Sequence, residues 1–203
     1  PRFAFFQVFQ PRGGGKRQAP TFDVVAPGVA KHEEEIVLAP GADPKSDPCL
    51  ALRAAVAAAE FGLPIAPGTL QNLKSCPIDD RTWNDESRSL FLRLLASGPA
   101  LLQVWEEIDF VDIPGRLIPE WLAIRNRPSA SAAHRYTIDR HSVEVVTRLG
   151  RETPRGNRYD DRHYQALLLA GILHDIGKRP WGADHAAEGA LSLIHISEPT
   201  RLR

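Results

Sequence analysis

An all-helical body led in by a proline-rich arm is the fold class this sequence predicts, and three observations predict it. After residue 48 no run alternates apolar and polar residues as a half-buried strand does, while apolar residues return at helical spacing. Seven of the 17 prolines fall within the first 48 residues, beside the run Gly13-Gly14-Gly15, a composition that disfavours helix and suits an arm or linker. Hydrophobic residues make up 43% of the 203, enough to bury a core of one medium domain.

The elements follow in order. Phe22-Asp23-Val24-Val25 and Glu35-Ile36-Val37-Leu38 are short β-prone runs separated by a turn-rich stretch with Pro27-Gly28, which suggests a small β-hairpin within the arm. Asp47 offers a cap and Pro48 suits a first turn. Cys49 to Phe61 is rich in Ala and Leu and is expected to be helical until Gly62 stops it. A short helix is expected from Pro67 to Lys74. Another runs from Asp85 to Ala96, with Leu90, Leu94 and Leu95 as its apolar stripe and Gly98-Pro99 as its end. Ala100 to Phe110 places Leu101, Val104, Trp105 and Ile108 at helical spacing, and Pro114 to Ile124 reads as a short helix or turn. Ile138 to Leu149 carries Ile138, His141, Val145 and Arg148 on one face. Asp160-Asp161 is then positioned to cap a strongly apolar helix from Tyr164 to His174, and Asp184 to start one more.

Composition narrows the function classes. Lys plus Arg and Asp plus Glu both number 25, so there is no basic field to draw nucleic acid or an anionic membrane. Cys49 and Cys76 form neither a disulfide framework nor a Cys-x-x-Cys metal spacing, which fits a reduced, cytoplasmic protein. The apolar opening Pro1 to Phe6 is cut short by Gln7 and Gln10, too brief for a signal peptide or a membrane span. With no methionine anywhere, the chain reads as an internal piece of a longer protein. Leu191 to Arg201 resembles the translation of a common sequencing-library adapter, so residues 191–203 are expected not to be native and His195 is not offered as a ligand.

The chemistry concentrates near residue 174. His174-Asp175-Ile176-Gly177-Lys178 closes the most apolar helix, and polar groups buried there without partners would cost stability. A divalent cation supplies the partner, since neutral imidazole and carboxylate both bind hard-to-borderline metals. His141 lies on an upstream helix and His185 follows a Pro-containing loop beside Asp184, so three histidines and a carboxylate come from three segments. A His-Asp pair alone arises often by chance, and a lone core histidine usually just hydrogen-bonds. The ordered set His141, His174-Asp175, His185 favours metal. Asp184 serves equally well as a helix cap, and Lys178 as a helix-end cation or a contact for substrate phosphate.

This ordered set resembles the HD phosphohydrolase superfamily over about His134 to Ala190. The resemblance implies a helical bundle that hydrolyses phosphate esters with a bound divalent metal, manganese or magnesium, with ferrous iron also compatible. The superfamily's last aspartate has no counterpart before the foreign-looking tail, so the HD bundle is expected to be truncated. A closer resemblance joins His134-Arg135-Tyr136-Thr137-Ile138-Asp139-Arg140-His141, the His174 to Lys178 run and Gly182-Ala183-Asp184-His185 to upstream strings. Those strings are Ala26-Pro27-Gly28-Val29, Ile36-Val37-Leu38-Ala39, Gly62-Leu63-Pro64-Ile65-Ala66 and Leu117-Ile118-Pro119-Glu120-Trp121. Together they resemble the bifunctional PII uridylyltransferase/uridylyl-removing family, in its actinobacterial forms especially.

That resemblance implies a division into an arm with a hairpin at 1–47, a helical region linking to the HD domain at 48–130, and the N-terminal part of the HD domain at 131–190. It implies His141, His174, Asp175 and His185 as metal ligands, with Asp175 and His174 carrying the catalysis and His134 and Lys178 near substrate. It implies the PII signalling protein and its uridylyl group (UMP) as partners, with glutamine sensed by ACT domains absent here. The family's Gly-Ser motif with paired aspartates is also absent from this chain, which places the uridylyl-transfer centre outside it, and Arg179-Pro180-Trp181 stands where the family usually has glycines. Two other readings share these residues: another HD-type nucleotide phosphohydrolase, and a regulatory HD module without catalysis.

Overall fold

The computed structural model describes residues 21–79, 82–128, 136–152 and 162–178. Three strands, β1 (Asp23–Ala26), β2 (Val29–His32) and β3 (Glu35–Leu38), form an antiparallel meander in the order β1-β2-β3. The two-stranded hairpin expected from sequence therefore gains a strand between its arms, and the described chain is mostly helical with a small sheet rather than all-helical. Val29 and Ala30 are both fully buried, so β2 shows no apolar–polar alternation by which to be recognised. Gly28 turns β1 into β2 with φ +76, and a Cβ there would stand 2.7 Å from the Leu50 side chain. That contact seats the turn against the first helix, which only glycine permits. The free side of β3 is closed by the loop before the second helix: the Ile36 N–H donates to the Pro64 carbonyl at 2.8 Å and the Ala66 N–H to the Ile36 carbonyl at 2.9 Å.

Eight helices follow among the described residues: α1 (Leu50–Phe61), α2 (Pro67–Leu73), α3 (Asp85–Leu95), α4 (Ala100–Phe110), α5 (Ile113–Leu117), α6 (Trp121–Ile124), α7 (Ile138–Glu152) and α8 (Arg162–Leu173). Local chemistry sets their ends. The Asp47 carboxylate accepts the Cys49 N–H at 3.0 Å ahead of α1, and Gly62, at φ 65, ends that helix in the left-handed conformation. At the start of α3, Asn84 accepts the Ser87 N–H while Ser87 Oγ accepts the Asn84 N–H, a reciprocal cap. The stretch from Pro114 to Ile124 resolves into two short helices joined by a turn.

The core runs along the apolar stripes the sequence marks: Leu90, Leu94 and Leu95 of α3 and Leu101, Val104, Trp105 and Ile108 of α4 are all buried in one cluster. Aromatic rings knit the layers, with Trp105 edge-on to Trp121 at 5.1 Å and Trp83 edge-on to Phe91 at 5.3 Å. Helix α1 lies between the sheet and α3–α4, and α3 and α4 in turn pack against α7. Arg53 ties three of these layers, binding Asp47, Glu86 of α3 and the Pro27 carbonyl. No helix among the described residues is long and apolar enough to cross a membrane.

Candidate metal centre

The candidate centre lies where α7 and α8 meet. Helix α8 is apolar from Ala166 to its end, and Gly171 lets it approach α7 closely. A Cβ on Gly171 would lie 3.0 Å from both Leu149 Cδ1 and Val146 Cγ2. Gly171 was not singled out from the sequence, although a glycine inside an apolar helix is a signal of such close approach. Helix α8 ends at Leu173, and the chain continues in turns through Gly177, with the Ile176 N–H on the Leu173 carbonyl and the Lys178 N–H on the Asp175 carbonyl, both at 3.0 Å. The helix therefore stops ahead of Gly177 and not at it, and His174 and Asp175 stand on the first turn beyond its end.

Helix α7 presents His141 to them. Its N–H donates to the Thr137 carbonyl at 2.8 Å, which places it in the helix's first turn. The stripe Ile138, His141, Val145, Arg148 is not the buried face. Ile138, Ser142, Val143 and Val146 are buried, His141 and Val145 are half-buried, and Arg148 is exposed. The difference arises because α7 packs on α3 and α4 as well as on α8, so its core contact is rotated away from His141. That rotation leaves the imidazole at the edge of the helix pair, where it can serve a ligand.

His141, His174 and Asp175 each offer a ligand atom within 4.8 Å of the other two. The imidazoles meet edge to face, with ring centres 5.4 Å apart, and His174 Nε2 lies 3.4 Å from Asp175 Oδ2. Ligand atoms about 2.0–2.2 Å from one ion stand roughly 3 to 4.4 Å from each other, so this trio fits a single divalent ion with small side-chain adjustments. His174 Nδ1 lies 2.9 Å from the Gly171 carbonyl, which can only accept. The proton of the neutral ring is thereby held on Nδ1, and the Nε2 lone pair is left for a metal. The Asp175 side chain is 7% exposed. Lys178 Nζ, 2.7 Å from Oδ2, gives it a counter-charge.

Of the residues that the sequence singles out, the fold thus brings His141, His174, Asp175 and Lys178 together. His185 and His134 lie outside the described residues, as do Asp160-Asp161 and Asp184. Asp139 was not singled out, yet its carboxylate is buried beside the site and bonded at both oxygens.

The chain matches no family model and no solved structure. It is similar to curated proteins named bifunctional uridylyltransferase/uridylyl-removing enzyme. That of Streptomyces coelicolor is 40% identical over 179 residues, covering 88% of this chain and 21% of the relative. That of Mycobacterium tuberculosis is 40% identical over 170 residues, covering 83% and 20%. That of Corynebacterium glutamicum is 35% identical over 133 residues, covering 66% and 18%. The chain spans about a fifth of the length of these relatives.

Proposed function

Because the chain belongs, over the segment it spans, to the bifunctional uridylyltransferase/uridylyl-removing enzymes, we propose that it carries the metal-dependent hydrolase part, an HD-type site that removes UMP from the PII signalling protein. The observation that carries this reading is the convergence of His141, His174 and Asp175 from two helices onto one point. Such a donor set suits phosphodiester hydrolysis, and nothing in uridylyl transfer calls for two imidazoles.

A divalent ion held by His141, His174 and Asp175, Mn2+ or Mg2+ with Fe2+ also compatible, would supply Lewis acidity toward a phosphoryl oxygen and toward water near neutral pH. The chain's own residues do the rest. His174 binds through Nε2 with its ring fixed by the Gly171 carbonyl, and His141 binds from the facing helix. Asp175 supplies the anionic ligand and accepts a hydrogen bond from attacking water. His185 completes the ligand set, and His134 contacts substrate or the ligands' partners. Lys178 places a cation beside the carboxylate, where it meets the phosphate of an incoming ester. Water replaces the tyrosyl oxygen at phosphorus, and the phenol of PII and UMP leave. The reaction belongs in the cytoplasm, consistent with two buried free thiols.

The test is release of UMP from uridylylated PII with added Mn2+. It uses a protein of the relatives' full length that contains residues 20–190, beside its His174→Ala and Asp175→Ala variants. Release that disappears in both variants, each still folded, is the expected result. A folded, Mn2+-loaded protein that hydrolyses a simple nucleotide ester but leaves PII untouched would move the assignment to another HD-type phosphohydrolase. One that binds PII and hydrolyses nothing would make the domain regulatory.

A further inference from the structure

Two independent devices must agree for His141 to face His174. The first sets the distance between α7 and α8 and is the glycine contact at Gly171. The second sets where α7 begins along its own axis, and it lies at the junction of α7 with the turn after α6.

That second device centres on Asp139. Asp139 is 9% exposed. Oδ2 accepts the Asn126 N–H at 2.7 Å and Oδ1 accepts the Arg140 N–H at 2.8 Å. Two backbone contacts flank it: the Ile138 N–H donates to the Arg127 carbonyl at 2.9 Å, and Pro128 bridges Thr137 in antiparallel fashion. Asn126, at φ 54, is a left-handed residue in the turn leaving α6. That turn is itself anchored, because the neighbouring Arg125 binds the Asp109 carboxylate of α4 at 2.9 Å. A continuous path thus runs from α4 through Arg125 and Asn126 to Asp139, and two residues further to His141. The Thr137 carbonyl that receives the His141 N–H belongs to the same clamped segment.

We propose that Asp139 is a positioning residue of the metal centre, fixing the first turn of α7 so that His141 reaches the ion held by His174 and Asp175. The proposal rests on the metal reading given above. Without the carboxylate, the N–H groups of Asn126 and Arg140 lose their acceptor, and the first turn of α7 is held to the segment after α6 by the backbone contacts at Arg127 and Pro128 alone. A crevice of about 240 Å³, lined by Trp105, Asp109, Trp121, Asn126 and Thr137, adjoins the clamp. Water can therefore reach the freed N–H groups, and the loss falls on placement of the turn more than on folding. Ligand placement is sensitive to such supports, whose loss typically weakens metal affinity about 10- to 100-fold.

The experiment titrates Mn2+ into the 203-residue chain and follows free Mn2+ by electron paramagnetic resonance, with thermal unfolding measured in parallel. It compares wild type, Asp139→Ala, Asp139→Asn and Trp83→Phe. The last removes a buried hydrogen bond from Trp83 Nε1 to the Leu117 carbonyl, outside the α7 clamp, and serves as a destabilised control. Expected is at least a tenfold loss of Mn2+ affinity in Asp139→Ala and a smaller loss in Asp139→Asn, which keeps the shape and one acceptor. Trp83→Phe should bind as wild type despite its lower Tm. Should Asp139→Ala not fold, the Asn variant against Trp83→Phe decides the question. Equal affinity in wild type and the folded Asp139 variants overturns the proposal while leaving the metal reading intact, as does an equal loss in Trp83→Phe. A wild type that takes up no Mn2+ fails at the metal reading itself, and the positioning role falls with it.

Discussion

Lys178 Nζ sits 2.7 Å from Asp175 Oδ2, the same carboxylate oxygen that lies 3.4 Å from His174 Nε2. The lysine thus occupies the neighbourhood a cation would need. A divalent ion and an ammonium a few ångströms apart repel, by about 4 kcal/mol per pair of unit charges at 4 Å in an effective dielectric of about 20. Partial exposure of the lysine and its mobile stem lower that figure. The ammonium must swing away when metal binds, which frees it for phosphate. Lys178→Ala is therefore expected to tighten Mn2+ binding by roughly tenfold while slowing phosphodiester hydrolysis. A titration showing weaker Mn2+ binding in the variant would mean the lysine supports the ligand set and does not compete with it.

The close contacts at Gly171 and Gly150 differ in what they press against, and so should their substitutions. A Cβ at Gly171 meets the ends of Leu149 and Val146 at 3.0 Å, which can shift by a few tenths of an ångström. A Cβ at Gly150 meets the backbone of Gly98, N at 2.8 Å and Cα at 2.9 Å, at a turn whose φ is +63. Replacing a helical glycine by alanine gains about 0.5–1 kcal/mol of propensity, against about 1–3 kcal/mol for overpacking. Gly171→Ala should thus be destabilised by about 1 kcal/mol and Gly150→Ala by about 2 kcal/mol or more. Urea denaturation midpoints read both. Only Gly171→Ala should also weaken Mn2+ binding, because only it moves α8 away from His141.

At the start of α3, Asn84 and Ser87 satisfy each other's backbone N–H groups at 2.9 Å. Asn84→Ala should lower stability by about 1 kcal/mol, the usual cost of losing such a cap, with no effect on metal uptake. An unchanged denaturation midpoint would show that water caps the helix equally well.

Much of the helical body was legible because its signals are local. Gly62 and Gly98-Pro99 end helices where the sequence places the ends, and the Leu90/Leu94/Leu95 and Leu101/Val104/Trp105/Ile108 stripes are buried. The clustering of His141 with His174 and Asp175 was legible as well, since metal-binding residue types at two helix positions need little geometry to be recognised. Strand β2 was not, because Val29-Ala30-Lys31-His32 buries two adjacent residues and gets its pairing from both neighbours. The rotation of α7 was not, because its buried face answers to α3 and α4 as much as to α8. The Asp139 clamp was hidden for another reason: its acceptors bind backbone N–H groups, and a backbone partner leaves no mark in the sequence.

Cys76 gives a pH signature of the core that is independent of the metal centre. The thiol is fully buried between α2 and the body, and burial pushes its pKa from an ordinary 9.0 up to about 11. A folded-state pKa above the unfolded one means that the protonated thiol favours the fold. Its contribution is complete below pH 9 and is lost as pH rises through 11. Two units correspond to about 2–3 kcal/mol. Lysines and tyrosines titrate in the same range, so the comparison must be with Cys76→Ala, in which they are all retained. The stability advantage of wild type over Cys76→Ala should shrink by up to about that amount between pH 8 and pH 11, as read by urea denaturation at each pH under reducing conditions. The same burial should keep Cys76 from reacting with a thiol reagent at pH 8 until the protein unfolds. A native protein whose Cys76 labels at once, or a stability difference that stays constant across the window, would mean the turn around residue 76 opens more easily than its burial in the core implies.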